Sequence, residues 1–164
     1  MVVGYGLSET APAASIDPID GKSFSDAIGL PLPSTEMSIQ NDGGQILPVG
    51  DEGEICIRGP QVMRGYWNND EDTKKVLTKD GWFKTGDIGI MREDGFFKIV
   101  DRKKDMIIVS GFNVYPSDIE EVAMKHEKVF EAGCIGVKGE NDQEAVSYTH
   151  LRAHETRGNL VCRL

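Results

Sequence analysis

Five consecutive charged residues, Asp101-Arg102-Lys103-Lys104-Asp105, stand between two apolar stretches. Burying such a run would strip several charges of water at once, so it reads as a linker or hinge between separately folding pieces. Ahead of it the pattern is β-rich. Residues 28–40 hold two short extended runs broken by Pro31 and Pro33, and Asn41-Asp42-Gly43-Gly44 is a turn. Residues 53–58, GEICIR, read as a strand. Residues 69–77 read as a short helix with Asp70, Glu71 and Asp72 in its first turn and Lys74 and Lys75 later, the order that suits the helix dipole. Three strands follow, at 82–85, 88–92 and 96–100, the last two joined by the hairpin turn Asp94-Gly95. Residues 28–101 are therefore expected to form a barrel-like β subdomain.

Beyond the charged run, residues 106–110 read as a strand and Gly111-Phe112-Asn113 as a loop. A helix is expected over 117–127, with Ser117 and Glu120 as a capping box and Ile119, Val122 and Ala123 as its apolar stripe. Residues 129–137 are a further apolar strand. Strand, helix, strand is the first half of a small α+β domain, so the fold class expected is α+β: a β-rich subdomain, a hinge at 102–105, and a truncated α+β domain over 106–145.

Composition narrows the function. The 164 residues carry 18 Lys and Arg against 27 Asp and Glu, a net charge of −9. That balance argues against a nucleic-acid partner, which needs a basic stripe. It also argues against electrostatic docking on an anionic membrane, though not against apolar contact. No apolar run approaches the roughly 18 residues of a spanning helix, and the first residues lack the charged and apolar regions of a secretory signal. Cys56, Cys134 and Cys162 make neither a disulfide framework nor a zinc pattern, which suits a reducing, cytoplasmic compartment.

Three segments carry the chemistry. Residues 4–10, GYGLSET, offer an aromatic face at Tyr5, glycines that let backbone approach a ligand, a hydroxyl at Ser8 and, at Glu9, a carboxylate suited to a hard cation. Thr85-Gly86-Asp87 places a carboxylate at a strand junction, able to accept two hydrogen bonds from a ribose diol. Arg102 could clamp phosphate. Read singly, each has an ordinary structural alternative: a strand-to-loop turn, a turn-closing Asp, a solvated charged face. Trp67 and Trp82 read as core or subdomain-contact aromatics, and Cys56 and Cys134 as inert buried thiols.

Taken in order, these segments resemble the adenylate-forming superfamily of acyl-CoA synthetases, peptide-synthetase adenylation domains and beetle luciferases. The resemblance covers residues 4–145. GPQVMRGYW (59–67), DGWFKTGDIG (80–89) and FKIVDRKKDMIIVSGFNVYPSDIEEV (97–122) resemble the bacterial long-chain fatty-acyl-CoA synthetases. That branch couples a fatty acid to coenzyme A through an acyl-adenylate, turning ATP into AMP and pyrophosphate, with Mg2+ bound. The resemblance implies that residues 1–27 end a large AMP-binding domain. It implies that Tyr5 stacks on adenine beside Gly6, that Ser8 contacts phosphate (the family more often has Thr), and that Glu9 binds Mg2+. Asp87 would accept from the ribose, Ile99 pack against the nucleoside, and Arg102 bond ribose or phosphate. Lys104 would sit at the hinge, and Gly111 would let pantetheine pass. Ser8, Glu9 and Lys104 are thus the catalytic candidates.

The family's glycine-rich phosphate loop and its C-terminal lysine match nothing within 4–145. One lost transition-state donor costs about 10²–10³ in rate, so this polypeptide alone is expected to be inactive. Two alternatives remain open: a ligase for an aryl or medium-chain acid, and a stand-alone nucleotide-binding module. The parent enzyme is expected in the cytoplasm, with peripheral contact at the inner membrane face. The tail differs in character. VSYTHLRAHET (146–156) resembles the translation of a transposase adapter used for sequencing libraries, so 146–164 is expected to be adapter read-through. His150 and His154, four residues apart, are accordingly given no metal role.

Overall fold

The computed structural model describes residues 2–19, 26–109, 112–138, 144–152 and 161–163. The chain divides into two compact units, Met1–Val100 and Asp101–Leu164. In the first, β1 (Gly4–Tyr5), β2 (Ser15–Ile16) and β3 (Leu30–Pro31) form a small antiparallel sheet. A second sheet runs in the order β4 (Glu36–Gln40), β5 (Glu52–Arg58), β6 (Phe83–Met91), β7 (Phe97–Arg102). Helix α1 (Asp70–Val76) precedes β6. Ile39, Ile55, Ile57 and Phe97 form the core with Ala14 and Ile28, and Tyr5, Leu7 and Ile99 pack against it. Each such isoleucine withdrawn from water contributes about 1.5–3 kcal/mol.

The second sheet does not close into the expected barrel, and both of its outer edges are covered locally. The Leu47 N–H donates to the Ile39 carbonyl at 2.8 Å along β4. On β7, Phe97 accepts from the Ile28 N–H at 2.7 Å and donates to the Gly29 carbonyl at 3.3 Å. Edges already paired have no need of one another. The strands expected at 82–85 and 88–92 are one nine-residue strand, β6. Trp67 is no core aromatic: it is 91% exposed. Trp82 lies under the Arg58 guanidinium, 4.6 Å from its ring centroid, and Arg58 is held in turn by a two-pronged pair with Glu36. Helix α1 forms where its sequence places it. The Asn69 side chain accepts from the Asp72 N–H at 3.1 Å, which satisfies one of the unpaired donors of the first turn.

In the second unit, β8 (Ile107–Val109) pairs with β9 (Phe112–Val114), so the loop expected at 111–113 is largely a strand. Helix α2 (Pro116–Met124) is followed by β10 (Val129–Lys138), β11 (Glu144–Arg152) and β12 (Val161–Arg163) in one antiparallel sheet. The capping box at Ser117 and Glu120 does not form. Pro116 takes the first helical position, and Asp101 does the capping: its Oδ2 accepts from the Ser117 N–H at 3.2 Å and the Ser117 hydroxyl at 3.0 Å. Glu120 turns to β10 and accepts from the Cys134 N–H at 2.8 Å. The apolar stripe is incomplete, because Val122 is 66% exposed. Cys56 and Cys134 are buried. Burial, with the Glu120 and Asp101 carboxylates, pushes the Cys134 thiol up. Gly111 and His154 lie outside the described residues.

An acceptor at a helix N-terminus is worth about 1 kcal/mol. Asp101→Ala should therefore lower the stability of the second unit by that order in a denaturant titration. Ser117→Ala, which keeps the backbone bond, should cost less.

Candidate functional site

The Thr85-Gly86-Asp87 segment is a bulge in β6. Glu54 lies opposite Ile88 and Cys56 opposite Lys84, so three residues of β6 face Ile55 alone. Gly86 makes the bulge possible at φ +78°, a backbone conformation that side chains with a Cβ resist. Its hydrogen bonds are met locally. The Thr85 hydroxyl donates to the Ile55 carbonyl at 2.8 Å and accepts from the Asp87 N–H at 3.1 Å. The Gly86 N–H donates to Oε1 of buried Glu54 at 3.0 Å. Asp87 is thereby held half-buried at the bulge.

The GYGLSET segment lies in the same unit. Tyr5 on β1 donates its phenol proton to Asp87 Oδ2 at 2.6 Å, joining two motifs 82 residues apart. A carboxylate offers about four acceptor positions, and Tyr5 occupies one. Gly6 is required by packing, since a Cβ there would lie 1.7 Å from the Pro12 carbonyl oxygen. A 3₁₀ turn, Ser8–Thr10, follows. It is built on buried Thr10, whose hydroxyl accepts from the Leu7 N–H at 2.9 Å. Ser8 is exposed and Glu9 half-buried. Glu9 is held twice from one segment: its carbonyl accepts from the Met63 N–H at 2.8 Å, and its Oε1 from the Tyr66 hydroxyl at 2.8 Å. Ile99, on β7, packs on the same core cluster as Tyr5. Arg102 and Lys104 are exposed residues of the second unit.

Of the expected set, the structure joins Tyr5 to Asp87 and packs Ile99 on the same core cluster as Tyr5, while Gly6, Ser8 and Glu9 follow Tyr5 in its own segment. It adds Glu54 and Tyr66, which sequence reasoning passed over. For Glu54 the signal was present: a carboxyl group directly before the apolar run Ile55-Cys56-Ile57, in a strand bound for the core. For Tyr66 no spacing connects it with Glu9.

Among the described residues no cluster of three or more His, Cys, Asp or Glu side chains forms a metal cage. Glu9 Oε2 takes no hydrogen bond among them either. A lone oxygen donor of this kind fits Mg2+, which is held through one or two carboxylates together with substrate phosphates.

Glu9 also governs Tyr66. The hydrogen bond to its carboxylate, then burial, then the negative charges of Glu9 and Asp72 push the phenol up from its ordinary value. A raised folded value means that this contribution to stability is whole below the ordinary phenol range, about pH 10, and is lost as pH rises through Tyr66's own higher value. In an ultraviolet titration Tyr66 should ionise later than an unperturbed tyrosine. Tyr66→Phe should remove that late component.

The sequence profile of the AMP-binding enzyme family matches residues 1–67. The long-chain-fatty-acid–CoA ligase of Yersinia pestis is 54% identical over 146 residues, which are 89% of this chain and 26% of the ligase. The chain thus spans about a quarter of the length of such curated relatives. The ATP-bound crystal structure of MatB from Rhodopseudomonas palustris superposes with a TM-score of 0.88 at 36% identity, over 96% of this chain and 32% of that one. The O-succinylbenzoate coenzyme A synthetase of Bacillus subtilis, in complex with ATP and magnesium ion, gives 0.79 at 31% identity over 96% and 32%. The chain is thus similar, over most of its length, to adenylate-forming enzymes, and over residues 1–67 to the AMP-binding enzyme family.

Proposed function

We propose that this chain carries part of the nucleotide-handling surface of an AMP-forming long-chain fatty-acid–CoA ligase. The observation that carries the reading is the Tyr5–Asp87 hydrogen bond. It sets an aromatic face beside a carboxylate, the pair of groups needed to hold a base and its ribose. In the reaction a fatty-acid carboxylate oxygen attacks the α-phosphorus of ATP, and the bond to pyrophosphate breaks. The thiolate of coenzyme A then attacks the acyl carbon, and the bond to AMP breaks. Tyr5 stacks on adenine beside Gly6 and Ile99, Asp87 accepts from the ribose hydroxyls, and Ser8 meets phosphate. Glu9 takes Mg2+, which when bound offsets charge on the polyphosphate. Arg102 bonds ribose or phosphate, Lys104 lies at the pivot between steps, and Gly111 clears the path of pantetheine.

A fatty acid is favoured over other carboxylates by the relatives, long-chain-fatty-acid–CoA ligases at 48–54% identity. None of the described helices is long and apolar enough to cross a membrane. We place the parent enzyme in the cytoplasm, meeting its apolar substrate by peripheral contact with the inner membrane face.

Calorimetric titration of the chain with ATP tests the reading. Binding is expected, and Asp87→Ala should weaken it by roughly tenfold or more, since a hydrogen bond to a charged group is worth about 1.5–3 kcal/mol. Tyr5→Phe, which keeps the aromatic face, should cost less. Absence of ATP binding, or an Asp87→Ala variant that binds as well, would overturn the proposal. The chain alone should form no acyl-CoA above a no-protein control.

A further inference from the structure

Helix α1 has seven residues and buries none of them, so it adds little to the core. Its Thr73 is nevertheless engaged on three sides. The Thr73 hydroxyl donates to the Asn69 carbonyl at 2.8 Å and accepts from the Tyr66 N–H at 2.8 Å. A Cβ at Gly65 would lie 2.8 Å from Thr73 Cγ2, so glycine at 65 is what lets the loop lie against this side chain. The Tyr66 hydroxyl in turn donates a hydrogen bond to Glu9 Oε1 at 2.8 Å. The Met63 N–H holds the Glu9 carbonyl from the same segment.

We propose that Thr73 and Tyr66 are positioning residues that fix the Glu9 carboxylate: the helix hydroxyl sets the Tyr66 backbone, and the phenol sets the orientation of the carboxylate. Partners behind a metal-binding carboxylate restrict its rotation and tune its affinity, commonly by 10–100-fold. With Oε1 tied to Tyr66, Oε2 is the oxygen left to a divalent cation on ATP. The importance of this link for catalysis rests on the reading of Glu9 given above; the link itself does not.

The experiment uses the whole chain labelled with 13C-glutamate, with the Glu9 carboxyl resonance assigned by its loss in Glu9→Gln. Tyr66→Phe should move that resonance. Thr73→Val should move it as well, and Thr73→Ser, which keeps the hydroxyl, should restore the wild-type position. A merely structural role for α1 would lower the thermal midpoint without this pattern. A Glu9 resonance that stays in place in Tyr66→Phe or in Thr73→Val overturns the proposal. If Thr73→Val fails to fold, Tyr66→Phe and Thr73→Ser decide. Adding ATP with and without Mg2+ separates the two readings. If Mg2+ moves the Glu9 resonance further than ATP alone does, and this increment falls at least threefold in Tyr66→Phe, both readings stand. If the resonance answers to Tyr66→Phe but never to Mg2+, the metal role of Glu9 fails while the positioning link holds.

Discussion

The first unit depends on a carboxyl group that is almost wholly withdrawn from water. Glu54 is 6% exposed, in an inner strand of a four-stranded sheet, next to fully buried Ile55. Its place follows from the bulge across from it. Where three residues of β6 face only Ile55, the regular ladder cannot supply every partner, and the Gly86 N–H would be left pointing at protein. Glu54 gives it an acceptor. An abandoned buried donor costs about 1–3 kcal/mol, enough to favour flattening the bulge. A flattened strand would turn Asp87 away from Tyr5. The carboxylate proposed to face the nucleotide is therefore upheld by another, buried carboxyl group.

The same economy recurs around Glu9. A turn of three residues has too few backbone bonds of its own to hold a side chain still. Thr10 anchors the turn from below, and the 63–66 segment holds Glu9 from the side. Asp87 and Glu9 thus each accept a hydrogen bond from the phenol of a tyrosine distant in sequence, Asp87 from Tyr5 and Glu9 from Tyr66. A phenol is a strong donor on a rigid ring, so it fixes a carboxylate with little loss of side-chain freedom. In the second unit Asp101 plays a comparable part for α2.

Local chemistry was legible in the sequence and non-local chemistry was not. The strand at 53–58, the hairpin at Asp94-Gly95 and the helix after Asn69 are written in residues within a few positions of one another. All three form. The bulge escaped notice because Gly86 breaks the alternation of β6 and so imitates a strand end. The cap of α2 escaped because Ser117 and Glu120 satisfy the spacing rule, while Asp101, 16 residues upstream, wins in three dimensions. Trp67 was misjudged because size and apolarity favour burial only where a surface exists to receive the ring, and its place between Tyr66 and α1 leaves it 91% exposed. The motif residues were legible through resemblance to a family; their hydrogen-bond partners had to be seen.

The bulge also restricts how this strand can change in length. Between Cys56 and Glu54 β5 advances two positions while β6 advances four, from Lys84 to Ile88. The surplus is even. Phe83 and Ile88 therefore keep the faces a plain ladder would have given them, and both stay buried. Losing a single residue from the segment would leave two residues opposite Ile55, an ordinary bulge that keeps the flanking pairs but not the Thr85-Gly86-Asp87 turn. Losing two would restore a simple ladder and forfeit the bulge. The core pairs on either side can thus survive a change in the length of this segment, while the turn that presents Asp87 cannot.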